Sequence, residues 1–588
     1  MEHLLWFFDA HIDATGLTPM LRAALVCAAL YQVDLALVIG TWLTRHAGMT
    51  SGHPTMAPGE RKSAMVVLPT LLRNPGELRG LMGAACSIAE NRYPGELVVV
   101  LCIDGSGERP DLYQELKAWV AKQACPSNVR MVVDGLETRA GKAVAMEAGI
   151  ARVKAMVADG ELAAIPELFF NMDADSVLGP RALERMAYRL TRKRPFRNTP
   201  YMIVTSNVVV PAEQFRQGWK SLLRPRCWIA LHVAREYLSS ITYGKFNWKV
   251  FPVMDVSGAL YCTWTGVHLV APYYARFMQN LRYSDVARWW MGFGPPRFSE
   301  FRGKPLPEAM AGPGDDTWIT WLACIATWKN GKLVFDAPAT PAHALCRLIG
   351  DYFSRAVTYD PLAKVYSNTP TTFKGLFKQR LRWNSSRIQD LERWGKSHLL
   401  HWHVGLPLFL SFAVVFFCIT GFAVGVFAPL LGLAVPPGTF PLAVIVGVGY
   451  SASRISSTIA ALLVSDSPPV EWAKLLALPL AGPYHLTFNT WTLVIGYFRD
   501  LFGFGEPTNF APEETLRAGG LTRVALGYRL RRAFLMGLRA LRHGDVRFSA
   551  SWFGWRETRW NPSGFDGWTS GKRPASVRVP SNTEGPDE

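Results

Sequence analysis

Four groups of residues in this 588-residue chain carry side chains that could do chemistry together. Asp173 and Asp175 flank Ala174 at the end of an apolar run, and residues two apart on an extended segment point the same way. Paired carboxylates with few other ligands suit Mg²⁺ or Mn²⁺ held partly by substrate phosphates. Such a cation would neutralise a diphosphate leaving group. Lys142 follows Gly141 at a predicted helix start, where it would meet the same anion. Asp315 and Asp316 follow Gly314 and precede a predicted helix; a carboxylate there would serve as general base toward a sugar hydroxyl. Gln379, Arg382 and Trp383, spaced i, i+3, i+4, share one helical face. The guanidinium suits a phosphate and the indole a sugar ring. Phe373, Phe377 and Leu381 fall on roughly the opposite face, a greasy side for a membrane surface. Taken singly, each group has a plainer reading: a solvated turn for the Asp173–Asp175 pair, a surface lysine, a helix N-cap at Asp315 or Asp316, an amphipathic core helix with one exposed Trp. Their order along one chain argues for a joint site.

The elements that must position them are predicted as an alternation of strands and helices. Apolar strands are expected at 64–69, 96–103, 129–133, 168–172 and 201–210, with a strand or tight turn at 253–261 and a final strand at 332–335. Helices are expected at 77–90, 110–122, 139–156, 215–237 and 317–330, and 282–313 reads as a long loop. Continuous apolar strands separated by helices argue for a mostly parallel sheet covered on both faces. Ligands of such sheets sit at the carboxyl ends of the strands, where Asp104 and the Asp173/Asp175 pair fall.

Composition separates this domain from its flanks. The chain is 49% hydrophobic and 19% charged, below the roughly 25% of an average soluble domain, and carries a formal net charge of +17. With long apolar stretches, that excess points to an anionic membrane surface rather than to nucleic acid. One spanning helix is expected at 21–43, or an amphipathic helix on the membrane surface. Strong spans follow at 404–426 and 440–464, and a broken or interfacial stretch at 473–497. Counting basic residues puts the domain between them, and the Arg-rich tail, in the cytoplasm. The division reads as 1–45 N-terminal membrane helix, 46–63 linker, 64–368 catalytic domain, 369–398 amphipathic interfacial helix, 399–502 membrane helices and 503–588 basic tail, with 575–588 disordered. The nine scattered cysteines form no CxxC and read as reduced thiols.

Asp104, Asp173-x-Asp175, Gly314-Asp315-Asp316 and Gln379-x-x-Arg382-Trp383 stand in the order of the D, DxD, (T/G)(E/D)D, QxxRW signature. Over roughly 64–502 the chain resembles the processive family-2 glycosyltransferases, the group of cellulose, hyaluronan, chitin and alginate synthases. The resemblance implies a GT-A-type α/β domain with a transmembrane helical region, and inverting transfer from a nucleotide-sugar. It also implies secretion of the β-linked polymer through the enzyme's own channel in the inner membrane. By the same likeness Asp104 and Pro69 lie at the nucleotide and Asp173 at the diphosphate, with Asp175 as metal ligand. Asp316 is the base with Asp315 beside it. Ser257 and Gly258 line the acceptor site with Trp383, and Gln379 and Arg382 hold the diphosphate. The Gly-Asp-Asp triplet is nearest the hyaluronan and alginate synthases. Ile103-Asp104 replaces a double Asp, and the junction at Phe502-Gly503-Phe504 lacks the Trp-Gly-Thr-Arg ending common in hyaluronan and chitin synthases. Expected partners are the donor, the growing polysaccharide, the bilayer and export proteins of the periplasm or outer membrane, with no nucleic acid. The competing readings are a non-processive glycosyltransferase that adds one sugar to a lipid or short acceptor, and a membrane-anchored nucleic-acid- or lipid-binding protein using its basic tail.

Overall fold

The computed structural model describes residues 56–194, 198–211, 225–237, 256–298, 315–353, 356–370 and 372–406, with Phe488, Thr492 and Ile495. The strands are β1 (Ala64–Thr70), β2 (Leu97–Asp104), β3 (Val129–Leu136), β4 (Leu168–Met172), β5 (Ser176–Leu178), β6 (Ile203–Val209), β7 (Leu260–Trp264), β8 (Thr327–Lys329), β9 (Lys332–Val334) and β10 (Val357–Ser367). The helices are α1 (Pro75–Ala89), α2 (Pro110–Lys122), α3 (Lys142–Ala158), α4 (Ala182–Thr191), α5 (Pro225–Tyr237), α6 (Thr265–Asn280), α7 (Tyr283–Trp290), α8 (Asp315–Ile325), α9 (Pro341–Phe353) and α10 (Phe373–Leu400).

Eight strands form one sheet in the order β3-β2-β1-β4-β7-β6-β10-β5. β1 pairs in parallel with β2 and β4, β2 with β3, and β6 with β10. β7 is antiparallel to both β4 and β6, and β5 to β10. The result is a mostly parallel mixed sheet with alternating helices, a Rossmann-like α/β fold.

Strand periodicity sorts the core into two layers. Met65, Val67, Val98, Val100 and Cys102 point to one face, against Val153 and Met156 of α3, Tyr274 of α6 and Ile319 of α8. The alternate residues Val66, Leu68, Val99 and Leu101 point to the other, against Leu78 and Leu81 of α1, Met186 of α4 and Val233 of α5. Each such fully buried side chain contributes roughly 1.5–3 kcal/mol, so a sheet apolar on both faces needs both layers of helices. β10 breaks its pairing with β6 between Tyr359 and Lys364. Asp360 lies in that bulge, buried, with the Arg185 and Arg189 guanidinium groups each at 3.1 Å. Its Oδ1 also accepts the Leu362 and Ala363 amides.

The mostly parallel sheet is as expected, with β7 and β5 set into it antiparallel to their neighbours. Several other expectations are corrected. The tight turn expected in 253–261 is there at Ser257–Ala259, but the strand runs on to Trp264. The stretch read as a loop from Arg282 contains α7, whose Trp289 is fully buried and donates its indole N–H to the Pro338 carbonyl at 2.9 Å. The helix expected to Asn330 stops at Ile325, because Asn330 (φ 50°) and Gly331 (φ 74°) turn a hairpin between β8 and β9. The strand at 332–335 therefore lies outside the main sheet, and β10, unforeseen, is the last strand. α4, α6 and α9 were also unforeseen; α6 carries Pro272 inside it. Among the described residues no helix is long and apolar enough to cross a membrane. The spans expected at 21–43, 404–426, 440–464 and 473–497 lie outside the described residues, apart from 404–406, Phe488, Thr492 and Ile495, as do most of the 46–63 linker and the tail.

Candidate active site

The sheet delivers its chemistry at the ends of β2 and β4 and at the start of β7. Asp104, the last residue of β2, is 4% exposed, and both its oxygens are engaged by the loop between β3 and α3: Oδ1 accepts the Ala140 amide at 2.6 Å and Oδ2 the Gly141 amide at 2.9 Å. Burial lifts this carboxyl above the ordinary range, against the pull of those two donors and the Arg139 charge. Gly141 has φ 103°, a conformation that other residues avoid, and it caps α3. Lys142, the first residue of α3, then reaches across to Asp173, Nζ to Oδ1 2.8 Å. Asp104 thus fixes the turn that aims Lys142. Pro69 sits buried in β1, paired in register with Cys102.

β4 ends in Asp173 and Asp175. The Asp173 amide donates to the Ala259 carbonyl at 3.2 Å, which ties this end to the turn before β7. The same turn is held by the Asn171 side chain, whose Nδ2 donates to the Gly258 carbonyl at 3.0 Å. It is held again by Thr205 of β6, whose hydroxyl accepts the Ser257 amide at 3.0 Å. Ser257 Oγ accepts the Ala259 amide at 3.3 Å. Asp175 lies exposed just beyond β4; desolvation by the groups crowding its carboxyl, then the Asp173 charge, push it up to about 6.

Asp316, in the first turn of α8, closes the constellation. A methyl group at Gly258 would stand 3.2 Å from Asp316 Oδ2 and 4.0 Å from Asp173 Oδ2, so the two carboxylates approach across this residue, and a side chain there would displace the Asp316 carboxylate by a few tenths of an ångström. Thr320 ties α8 down on this side: its hydroxyl donates to the Asp316 carbonyl at 2.7 Å and accepts the Val256 amide at 3.2 Å. The Asp315 backbone opens α8, and its side chain lies outside the described residues, as does Gly314.

α10 brings the last group. Its N-terminus is capped by Thr372, whose hydroxyl accepts the Gly375 amide at 3.1 Å. The Gln379 side chain and the Asp175 charge both act on the buried Tyr237 phenol. Trp383 is 37% exposed, with the Tyr237 ring stacked alongside at 6.4 Å and the Arg380 guanidinium over it at 4.2 Å. Arg382 is placed on the helix, but its side chain lies outside the described residues. Further along, Trp394 of α10 stacks on Trp318 of α8 at 3.7 Å, and Trp321 donates its indole N–H to Ser397 at 2.8 Å. The helix bearing Asp316 and the helix bearing Trp383 are thereby seated on each other. Phe373 and Phe377 meet the ring of Phe488, from the third apolar stretch, at 6.3 and 6.2 Å, whereas Leu381 is buried.

Lys142, Asp173, Gly258 and Asp316 therefore lie together, and Tyr237, which feels the Asp175 charge, stands beside Trp383. Sequence reasoning missed Glu236, Tyr237, Arg380, Asn171 and Thr205. Arg380 stood inside the noticed motif, but its ion-pair partner Glu236 lies 144 positions away in the chain, and no local pattern marks it. Among the described residues no group of three or more His, Cys, Asp and Glu side chains is gathered as for a metal ion. What the arrangement offers chemically is a carboxylate pair beside an ammonium group, a third carboxylate facing them, and a half-exposed indole. No protein-family model and no curated protein matches the chain.

Proposed function

We propose that the chain is a membrane-embedded, inverting, processive glycosyltransferase with a GT-A-type domain, which polymerises a β-linked glycan from a nucleotide-diphosphate sugar and passes it through its own channel. The observation that carries this reading is the approach of Asp316 and Asp173 across Gly258, with the helix of Gln379 and Trp383 tied to the same mouth. Asp316 takes the proton of the acceptor hydroxyl as its oxygen forms a bond to the anomeric carbon. The bond from that carbon to the diphosphate breaks on the opposite face, and the configuration inverts. Lys142 and Gln379 meet the diphosphate, and the exposed part of the Trp383 indole receives the acceptor ring.

Asp175 and Asp173 fit a hard divalent cation. Both are oxygen donors, their mutual repulsion favours a cation between them, and two carboxylates completed by phosphate oxygens are a donor set that Mg²⁺ and Mn²⁺ accept. When bound, the cation would supply charge neutralisation of the leaving diphosphate. The Arg-rich tail and apolar flanks fit placement in the inner membrane with the catalytic domain in the cytoplasm.

Purified full-length chain incubated with labelled UDP-glucose, UDP-N-acetylglucosamine or GDP-mannose tests the reading. A synthase yields high-molecular-weight product that a matching glycanase digests; a single-addition enzyme yields only short product. Asp316→Asn should cut transfer by about 10²- to 10⁴-fold while donor binding survives. Normal turnover in that variant removes the base assignment.

A further inference from the structure

We propose that Glu236 and Tyr237, the last two residues of α5, are positioning residues that latch segment 379–383 of α10 against the carboxylates at the end of β4. The inference rests on the proposed glycosyl transfer and names the part of the fold that holds its donor and acceptor groups in register.

Three contacts make the latch. Glu236 Oε2 accepts a hydrogen bond from Arg380 Nη2 in an ion pair where Glu236 is 9% and Arg380 3% exposed. The same guanidinium lies over the Trp383 ring at 4.2 Å and donates to Gln379 Oε1 at 3.4 Å. Tyr237, 6% exposed, stacks alongside Trp383 at 6.4 Å with planes 26° apart. One residue of α5 thus fixes the cation that orients the amide and the indole, and the next fixes the indole directly. Tyr237 also answers to the end of β4: the Gln379 side chain and the Asp175 charge both act on its phenol.

A pair of this kind is a poor device for stability alone. Desolvating both ions offsets most of their attraction, and an apolar pair of similar volume would hold the helices as well. What charges and a stacked phenol add is direction: they leave Gln379 and Trp383 one orientation relative to Asp175. Misplacing a reacting partner by about 1 Å costs up to about a hundredfold in rate.

The test uses the full chain in lipid nanodiscs, with Glu236→Gln, Tyr237→Phe, Arg380→Glu and the charge-swapped double variant Glu236→Arg/Arg380→Glu. Two readouts are taken: hydrogen–deuterium exchange over 373–386, and nucleoside diphosphate release from the three donors named above. Glu236→Gln and Tyr237→Phe should exchange faster over 379–383. They should lower kcat by roughly ten- to hundredfold with donor KM within about threefold. The double variant should recover activity that Arg380→Glu loses. Unchanged exchange in both single variants overturns the latch, as does faster exchange with wild-type kcat, or a double variant no better than Arg380→Glu. If the unaltered chain releases nucleoside diphosphate from none of the donors while exchange still rises in the variants, the latch stands and the glycosyl-transfer reading falls.

Discussion

A methyl group added at Gly258 would crowd the Asp316 carboxylate. Gly258→Ala should keep the fold, because the nearest obstacle at 3.2 Å is the Asp316 carboxylate rather than backbone. The carboxylate must then swing away, and turnover should drop by roughly tenfold or more with little change in melting temperature. A second residue-scale prediction concerns Glu147 on α3. Burial raises its carboxyl to about 8, with Lys154 pulling it back, and its Oε1 has no hydrogen-bond partner among the described residues. A carboxyl raised in the folded state favours folding below its ordinary range and loses that contribution as pH climbs through the folded value. Glu147→Gln should therefore match the parent near pH 4.5 and melt higher at pH 9, by about 1.4 kcal/mol for each tenfold displacement of the acid equilibrium. Equal melting curves at pH 9 would show that the carboxylate is solvated in the fold.

The elements were legible where a single period ran uninterrupted. β1, β2 and β4 are apolar on both faces, β3 is a short run of valines and methionine, and α2 begins at a proline and ends after a lysine; all five lie within a few residues of their expected places. β10 was illegible because Asp360 and Pro361 interrupt its alternation at the bulge, and because its stability comes from two arginines on α4 that a local window never sees. Asp360→Ala should cost about 3–5 kcal/mol by leaving Arg185 buried, and Arg189 half-buried, with their shared carboxylate gone. Chemical denaturation would read this as a lower midpoint, while Asp360→Asn, which keeps the amide acceptor for Leu362 and Ala363, should cost less. The candidate site was half legible for the same reason. Asp173, Asp316 and Trp383 announce themselves by type and spacing. Their neighbours Asn171, Thr205 and Tyr237 are ordinary core residues until the sheet order brings β6, β7 and α5 beside β4.

At the scale of the molecule, an α/β domain is joined through α10 to apolar segments on its C-terminal side, and Phe373 and Phe377 already touch Phe488 of those segments. An epitope appended after Glu588 should be cut by protease added to inverted membrane vesicles and protected in intact spheroplasts. Protection in the vesicles would place the tail outside and change the count of crossings. The antiparallel seat of β7 has a further bearing on how such a chain can change over time. Leu260 and Cys262 face one layer and Tyr261 the other, and the turn that ends at Ala259 meets Asp173 backbone to backbone. Lengthening or shortening that turn by a single codon would rotate every side chain of the strand to the wrong layer and pull the glycine off its mark. A substitution there leaves the strand in register, whereas an insertion or deletion does not.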